Sequence, residues 1–171
     1  MSDDEQNPIP DDMHGENNDE QPIQVTAQML LIVVGAHLRA EMADRPLAYR
    51  LRDRILQWQS DHDVAVNALM LPVVCSDIWF VNQKDLQHHP VISLGGPGVN
   101  ALSAYFTHKL EAALVQDDKL VIQLDPELVD LRACVWGMDH ALTVQAIELF
   151  DQRYLENILR AVATQVEPSG D

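Results

Sequence analysis

The chain has few basic residues, and this shortage limits the partners it could bind. It contains 11 Lys and Arg against 27 Asp and Glu, a net charge of −16 over 171 residues. An acidic surface repels phosphate backbones, so nucleic acid is not an expected partner. Eight of the acids lie within residues 1–22, which hold no Lys or Arg. We expect this segment to be a disordered acidic tail, because it cannot bury enough apolar surface to offset the entropy of ordering.

Long apolar runs and cysteines are also scarce. The longest apolar run, Met29 to Gly35, has the length of a strand, so no membrane association is expected. The first residues carry neither the basic start nor the apolar stretch of a secretory signal. Cys75 and Cys134 both sit inside apolar segments, which favours buried free thiols over a disulfide. These features predict a soluble, cytoplasmic protein.

Strand and helix signals alternate along the rest of the chain. The run from Met29 is typical of a central strand covered on both faces. The predicted strands are residues 29–35, 67–75, 91–95, 120–124 and 131–136. Asp44 is a candidate cap for the first helix, with Pro46 in its first turn. The other predicted helices are residues 99–114 and 140–163.

The alternation predicts a three-layer α/β sandwich with a mostly parallel five-stranded sheet and helices on both faces. The last two strands are separated only by residues 125–130, too few for a helical crossover, so we expect them to be antiparallel. Pro72 favours an edge position for the second strand. We predict one α/β domain over residues 23–165, followed by a flexible C-terminus over residues 166–171.

A glycine-rich segment, residues 95–100 (GGPGVN), joins the third strand to a helix. It could form a cradle for a phosphate or carboxylate, with the amides of the helix start facing the anion. The alternative is a tight turn in which Asn100 hydrogen-bonds local backbone. It matches neither the dinucleotide-binding fingerprint nor the phosphate loop that ends in Gly-Lys-Ser/Thr.

Other candidate chemistry is weaker. His37, Asp77, Asp139 and His140 could form an acid/base or metal set, but Asp139 is also an ordinary helix cap. The adjacent His88 and His89 lack partners at zinc-ligand spacing. Neither cysteine has a basic neighbour, and the chain has no Gly-x-Ser-x-Gly elbow. We therefore predict no catalytic residue, no metal and no cofactor.

The carboxyl ends of parallel strands carry the ligands of open α/β sheets. We expect the ends of the first, third and fifth strands to share one surface, marked by Gly35, Gly96 and Gly137, where a pocket could form. The predicted contact residues are His37, Asp77, Gly95, Gly96, Pro97, Gly98, Asn100 and Asp139.

Residues 91–154 carry a resemblance to a known family. Three features carry it: a turn after a strand, a later strand and the start of the last helix. The turn is Gly95-Gly96-Pro97 followed by Val99 and Asn100, the strand is residues 133–137, and the helix start contains Asp139, Thr143 and Ala146. This part resembles the carboxy-terminal domain of archaeal S-layer-type proteins and, more distantly, clostridial cell-wall-binding repeats. The resemblance implies a small α/β fold that serves attachment or assembly.

The sequence therefore leaves two functions open. The first is a non-catalytic binding or interaction domain whose glycine-rich loop contacts a protein partner or a small anionic ligand. The alternative is a small enzyme or sensor that binds a nucleotide or sugar phosphate in the same cleft. Convergence of His37, Asp77, Asn100 and Asp139 on one cleft would favour the alternative.

Overall fold

The computed structural model describes residues 28–165 and shows an α/β fold with a six-stranded mixed sheet. The predicted tail, residues 1–22, and the predicted C-terminus, residues 166–171, lie outside the described residues. In chain order the strands are β1 (Gln28–Val34), β2 (Met70–Ser76), β3 (Val91–Leu94), β4 (Ala112–Gln116), β5 (Leu120–Leu124) and β6 (Arg132–Gly137). The sheet order is β2-β1-β3-β6-β5-β4; the first four are parallel, and β5 is antiparallel to both neighbours.

Helices connect most of these strands. They are α1 (Leu38–Asp61), α2 (Asp77–Asn82), α3 (Ala101–Thr107), α4 (His140–Phe150) and α5 (Glu156–Thr164). A π-helical segment, Asp151–Leu155, joins α4 to α5 without a break, so the predicted last helix is confirmed apart from this segment. None of the helices in residues 28–165 combines the length and apolarity needed to cross a membrane.

The two faces of the sheet explain why β1 is apolar throughout. Leu30, Ile32 and Val34 pack on one face against a cluster built largely from α1, α4 and α5. Leu31 and Val33 pack on the other face with residues of α2 and α3. All five are fully buried, and burial of each such side chain contributes about 1.5–3 kcal/mol. Helices therefore cover both faces of the sheet, as predicted for its central strand.

The prediction for the start of the first helix is wrong. The helix begins at Leu38, and His37 is its N-cap, with the ring Nδ1 accepting a hydrogen bond from the Arg39 amide at 3.1 Å. Asp44 and Pro46 both lie inside the helix. A proline in a helix interior removes a donor and crowds the preceding turn, so the Asp-x-Pro pattern normally marks a start. Here Ala40 and Leu47 are buried on the same helix, and packing outweighs the local signal.

The sheet has six strands instead of the predicted five. The helix predicted over residues 99–114 ends at Thr107, and Ala112–Gln116 forms β4. A hairpin turn through Asp117 and Asp118, with φ of 52° and 54°, pairs β4 with β5. Two successive positive φ angles are typical of the mirror-image hairpin turns, which usually contain Asn or Gly. The Asp-Asp sequence therefore carried a weak turn signal.

Three smaller predictions are confirmed. The 120–124 strand is β5, and it pairs antiparallel with β6. β2, which contains Pro72, lies at an edge of the sheet. Cys75 and Cys134 are free and buried, and burial raises the pKa of both thiols to about 11.

Candidate functional site

The carboxyl ends of β1, β3 and β6 lie side by side at one edge of the sheet. The three strands are parallel neighbours, and their register aligns Val34 with Leu94 and Leu94 with Val135. Gly35, Gly96 and Gly137 follow these positions and therefore share an edge. The predicted common surface exists as a structural feature, and its function is a separate question.

Asp77 fastens two loops at this edge together. It follows β2 and is buried, and one carboxylate oxygen accepts hydrogen bonds from the amides of Ala36 at 2.8 Å and Ile78 at 2.7 Å. The other oxygen accepts from the amide of Ala101, the first residue of α3, at 2.7 Å. Both oxygens are therefore engaged by backbone donors, which gives Asp77 a structural role.

Asn100 is likewise engaged on all sides. Its Oδ1 accepts from the amides of the second and third residues of α3, at 3.0 and 3.2 Å. Its Nδ2 donates to the carbonyls of Leu94 at 2.8 Å and Val33 at 3.2 Å, and to Ser93 Oγ at 3.1 Å. This side chain caps α3 and ties the ends of β1 and β3 together.

These contacts use the amides that the predicted anion cradle needs. Asp77 and Asn100 take the first three amides of α3, and the Gly96 carbonyl takes those of Val99 and Asn100. The Gly95 amide donates to Val135. An anion would find the donors of the helix start already bonded, and only the loop amides of Gly96 and Gly98 have no acceptor among the described residues. Anion binding at this loop stays a prediction, and the occupied amides weigh against it.

Gly95 has the conformation that the glycine-rich turn requires. Its φ is 94°, which L side chains rarely adopt, and a Cβ there would collide with Asp44 Oδ2. This confirms that one of Gly95 and Gly96 has a backbone angle unsuited to other residues. A Cβ on Gly96 would meet nothing closer than Trp136 Cε3 at 3.8 Å, so Gly96 is open.

The crevice between the ends of β1 and β3 is closed. The chain leaves β1 toward α1 on one face of the sheet and leaves β3 toward α3 on the other face. In open α/β sheets, ligands usually bind in the crevice between two adjacent strands whose connections diverge in this way. Here Gly35 lies against the carbonyl of Val99 so closely that a Cβ would overlap it. Loop backbone and Asp77 fill the crevice, and the open space lies nearer β6.

That open space is a groove of about 690 Å³, which we call the strand-end groove. It lies between the first two turns of α1, the Gly96–Val99 loop and the junction of β6 with α4. Met42 and Met138 line it and are 75% and 68% exposed, so its mouth is apolar and adaptable. Arg39, Asp44, Asp139 and His140 supply its ionisable groups.

Asp44 is the residue in this groove that the sequence interpretation missed. It lies on α1 at 7% exposure, in contact with Gly95, and it forms no hydrogen bond or ion pair with the described residues. Burial raises the pKa of its carboxyl group, and the nearby charge of His140 partly opposes that rise. The available signal was its spacing: Asp44 falls four residues from both Ala40 and Ala48, on the buried stripe of α1.

The predicted contact residues divide into two groups. Gly96, Pro97, Gly98 and Asp139 line the groove, with Asp139 also capping α4 through the Leu142 amide at 2.8 Å. The residues that do not line it are His37, Asp77, Gly95 and Asn100. The proposed acid/base set is not assembled, because only its members Asp139 and His140 reach this groove. In residues 28–165, no three His, Cys, Asp or Glu side chains are grouped as metal ligands would be.

Comparison of the chain with protein-family models, with curated proteins and with solved structures finds no match. The resemblance to archaeal S-layer-type domains thus stays a prediction.

Proposed function

We propose that this chain is a non-catalytic binding domain that holds a small molecule in the strand-end groove. The observation that carries the proposal is a groove of about 690 Å³ that contains a buried carboxylate, Asp44, without a partner among the described residues. Ligand pockets are commonly about 300–1,000 Å³, mostly apolar and equipped with a few polar groups. A cytoplasmic location accords with the two free thiols, since a reducing compartment keeps thiols unpaired.

The catalytic alternative has less support. A general acid or base needs a partner group within reach of the reacting atoms. Asp77 and Asn100 are saturated by backbone contacts. His37 faces solvent as the cap of α1. The attachment role implied by the S-layer resemblance would use the same edge of the sheet, with the exposed Met42 and Met138 as contacts.

A thermal-shift screen against a small-molecule library tests the proposal. A ligand at 100 times its Kd stabilises the folded state by about 2.7 kcal/mol, which raises the melting temperature measurably. The blocking variant is Gly96→Leu, because a side chain at Gly96 would grow beside Trp136 and the Gly137 carbonyl, on the wall of the groove. We expect compounds that stabilise the wild type to lose their effect in this variant.

The matched control is Gln57→Leu. Gln57 is an exposed residue of α1, about 20 Å along the helix from Asp44 at 1.5 Å per residue. The Gln57→Leu variant introduces the same leucine side chain outside the groove, so ligands should still raise its melting temperature. Ligands that stabilise wild type and Gly96→Leu equally would place binding elsewhere, and a library with no active compound would remove the support for a small-molecule site.

A further inference from the structure

Asp44 differs from every other buried polar side chain in the described part of the protein. Eight such side chains are buried, and seven of them form hydrogen bonds within the protein. Those seven are Gln59, Asp77, Ser93, Asn100, Ser103, Gln123 and Thr143. The Asp44 oxygens keep contact with solvent at the groove, since neither is among the fully enclosed polar atoms without a partner, but no donor of the described residues offsets the partial desolvation of the side chain. Its persistence at the wall of a groove points to a partner that comes from outside the chain.

The surroundings of Asp44 define the charge of that partner. A metal ion is disfavoured, because the described residues hold no cluster of three His, Cys, Asp or Glu side chains around it. An anion is disfavoured, because the two acids Asp44 and Asp139 offset Arg39 and His140, so the groove has no excess of positive charge, and because the α3 amides are already bonded. A group with N–H donors and a positive charge would satisfy the carboxylate through charge-assisted hydrogen bonds.

The rest of the groove defines the body of the ligand. Met42, Met138 and the ring of Trp136 present apolar or aromatic surface. Methionine side chains adapt to different apolar shapes and are common at binding surfaces of broad selectivity. A small apolar or aromatic body would therefore find contacts beside the carboxylate.

We propose that Asp44 is the ligand-recognition group of the strand-end groove and that it binds an ammonium or guanidinium group carried by an apolar body. This proposal rests on the proposed function and names the chemical class of its ligand. Asp44 accepts hydrogen bonds from the cationic nitrogen, and the methionines and Trp136 contact the apolar part. The glycine at position 95 leaves the space that the carboxylate occupies.

Three probes of one shape test the charge preference. They are phenethylamine, 2-phenylethanol and phenylacetate, which share a body and differ in a cationic, neutral or anionic end. Binding to the full chain at neutral pH is measured by chemical-shift titration up to millimolar concentrations, at constant ionic strength. We expect phenethylamine to bind most tightly, with shifts at the amides of Gly96 and Gly98. Phenylacetate that binds as well as the amine, or no binding by any probe, would overturn the proposal.

Two variants test the role of Asp44. Asp44→Asn removes the charge with little change in size, and we expect it to weaken phenethylamine binding by at least about tenfold. Asp53→Asn is the control, since Asp53 is an exposed acid of the same helix paired with Arg52. It should leave binding unchanged. Equal binding by wild type and Asp44→Asn would contradict the proposal.

The thermal midpoint of Asp44→Asn separates recognition from a structural role. Removing an unpaired buried charge should raise the midpoint by about 3 °C, whereas loss of a structural contact would lower it. A lower midpoint would overturn the proposal. Suppose that the neutral probe binds, that Gly96→Leu abolishes its binding and that Asp44→Asn leaves it unchanged. The proposed ligand class is then wrong, while the proposed binding function of the groove still holds. If amine binding persists in Gly96→Leu, the groove itself is the wrong site.

Discussion

Two aspartates at the same edge of the sheet have opposite environments. Asp77 is 4% exposed and accepts hydrogen bonds from three backbone amides. Asp44 is 7% exposed and has no hydrogen-bond partner in residues 28–165. Similar burial therefore does not imply a similar role: one carboxylate holds the loops in place, and the other is the group that we propose binds a ligand. The difference lies in the supply of donors around each side chain.

Removing the Asp77 carboxylate should have the largest effect on stability. Asp77→Ala leaves three buried or half-buried amides without an acceptor, and each lost partner costs about 1–3 kcal/mol. We expect the free energy of unfolding to fall by about 3–5 kcal/mol in urea titrations at pH 7. Asp77→Asn keeps one acceptor oxygen and should cost less. A loss below about 1 kcal/mol in Asp77→Ala would show that the loops do not depend on this carboxylate.

Gly95→Ala should have the next largest effect. The φ of 94° strains an alanine, and its Cβ would collide with the Asp44 carboxylate. We expect a loss of about 2 kcal/mol in the free energy of unfolding. Gly96→Ala is the matched control, because its Cβ would make only ordinary contacts; a change within about 0.5 kcal/mol is expected. Similar stability of the two variants would mean that the turn does not require a glycine at 95.

Asp44→Asn should have the smallest effect, and it should depend on pH. The folded-state pKa of Asp44 is raised above its ordinary value of 3.8, mainly by burial. The folded protein therefore binds this proton more tightly than the unfolded chain, so wild type loses stability as pH rises from about 4 through the raised pKa. His140, Arg39 and Asp139 are the other ionisable groups of the groove.

The comparison with Asp44→Asn isolates that loss. The variant should match wild type near pH 3.5 and be more stable than wild type near neutral pH, measured by urea unfolding across the pH range. A stability gap that is constant with pH would show that ionisation of Asp44 carries no cost. A gap of the opposite sign would give Asp44 the structural role of Asp77.

Strong periodic signals in the sequence predicted much of the sheet. The central place of β1 follows from its apolar run, the edge position of β2 from Pro72, and the antiparallel β5–β6 pair from the short connection. β4 was missed because Leu114 also suits a helical pattern and because its hairpin turn has no Asn or Gly. The local sequence pattern does not decide whether residues 112–116 form a helix or a strand. The pairing of β4 with β5 decides it.

The sequence predicted the edge of the sheet that holds the candidate site, but it did not predict Asp44 as a residue of that site. Gly35, Gly96 and Gly137 marked the edge of the sheet where the strand-end groove lies, since parallel strands bring their carboxyl ends together. Asp44 was interpreted as a helix cap because an aspartate two residues before a proline usually precedes a helix. A departure from such local rules is what a functional position often shows. The amide of Ala101 at the start of α3 is occupied by Asp77, which is 24 residues away in the sequence, so local sequence patterns could not predict this contact.

The Asp77 carboxylate also links the edge of the sheet to its centre. Asp77 follows β2, an edge strand, yet it accepts hydrogen bonds from the amide of Ala36 after β1 and from the amide of Ala101 at the start of α3, which follows β3. Hydrogen exchange occurs when a protecting hydrogen bond opens. If β2 and α2 open as one cooperative unit, Ala36 and Ala101 lose their common acceptor in the same event. Their amide protons should exchange at one shared free energy of opening, although the two residues are 65 positions apart in the sequence.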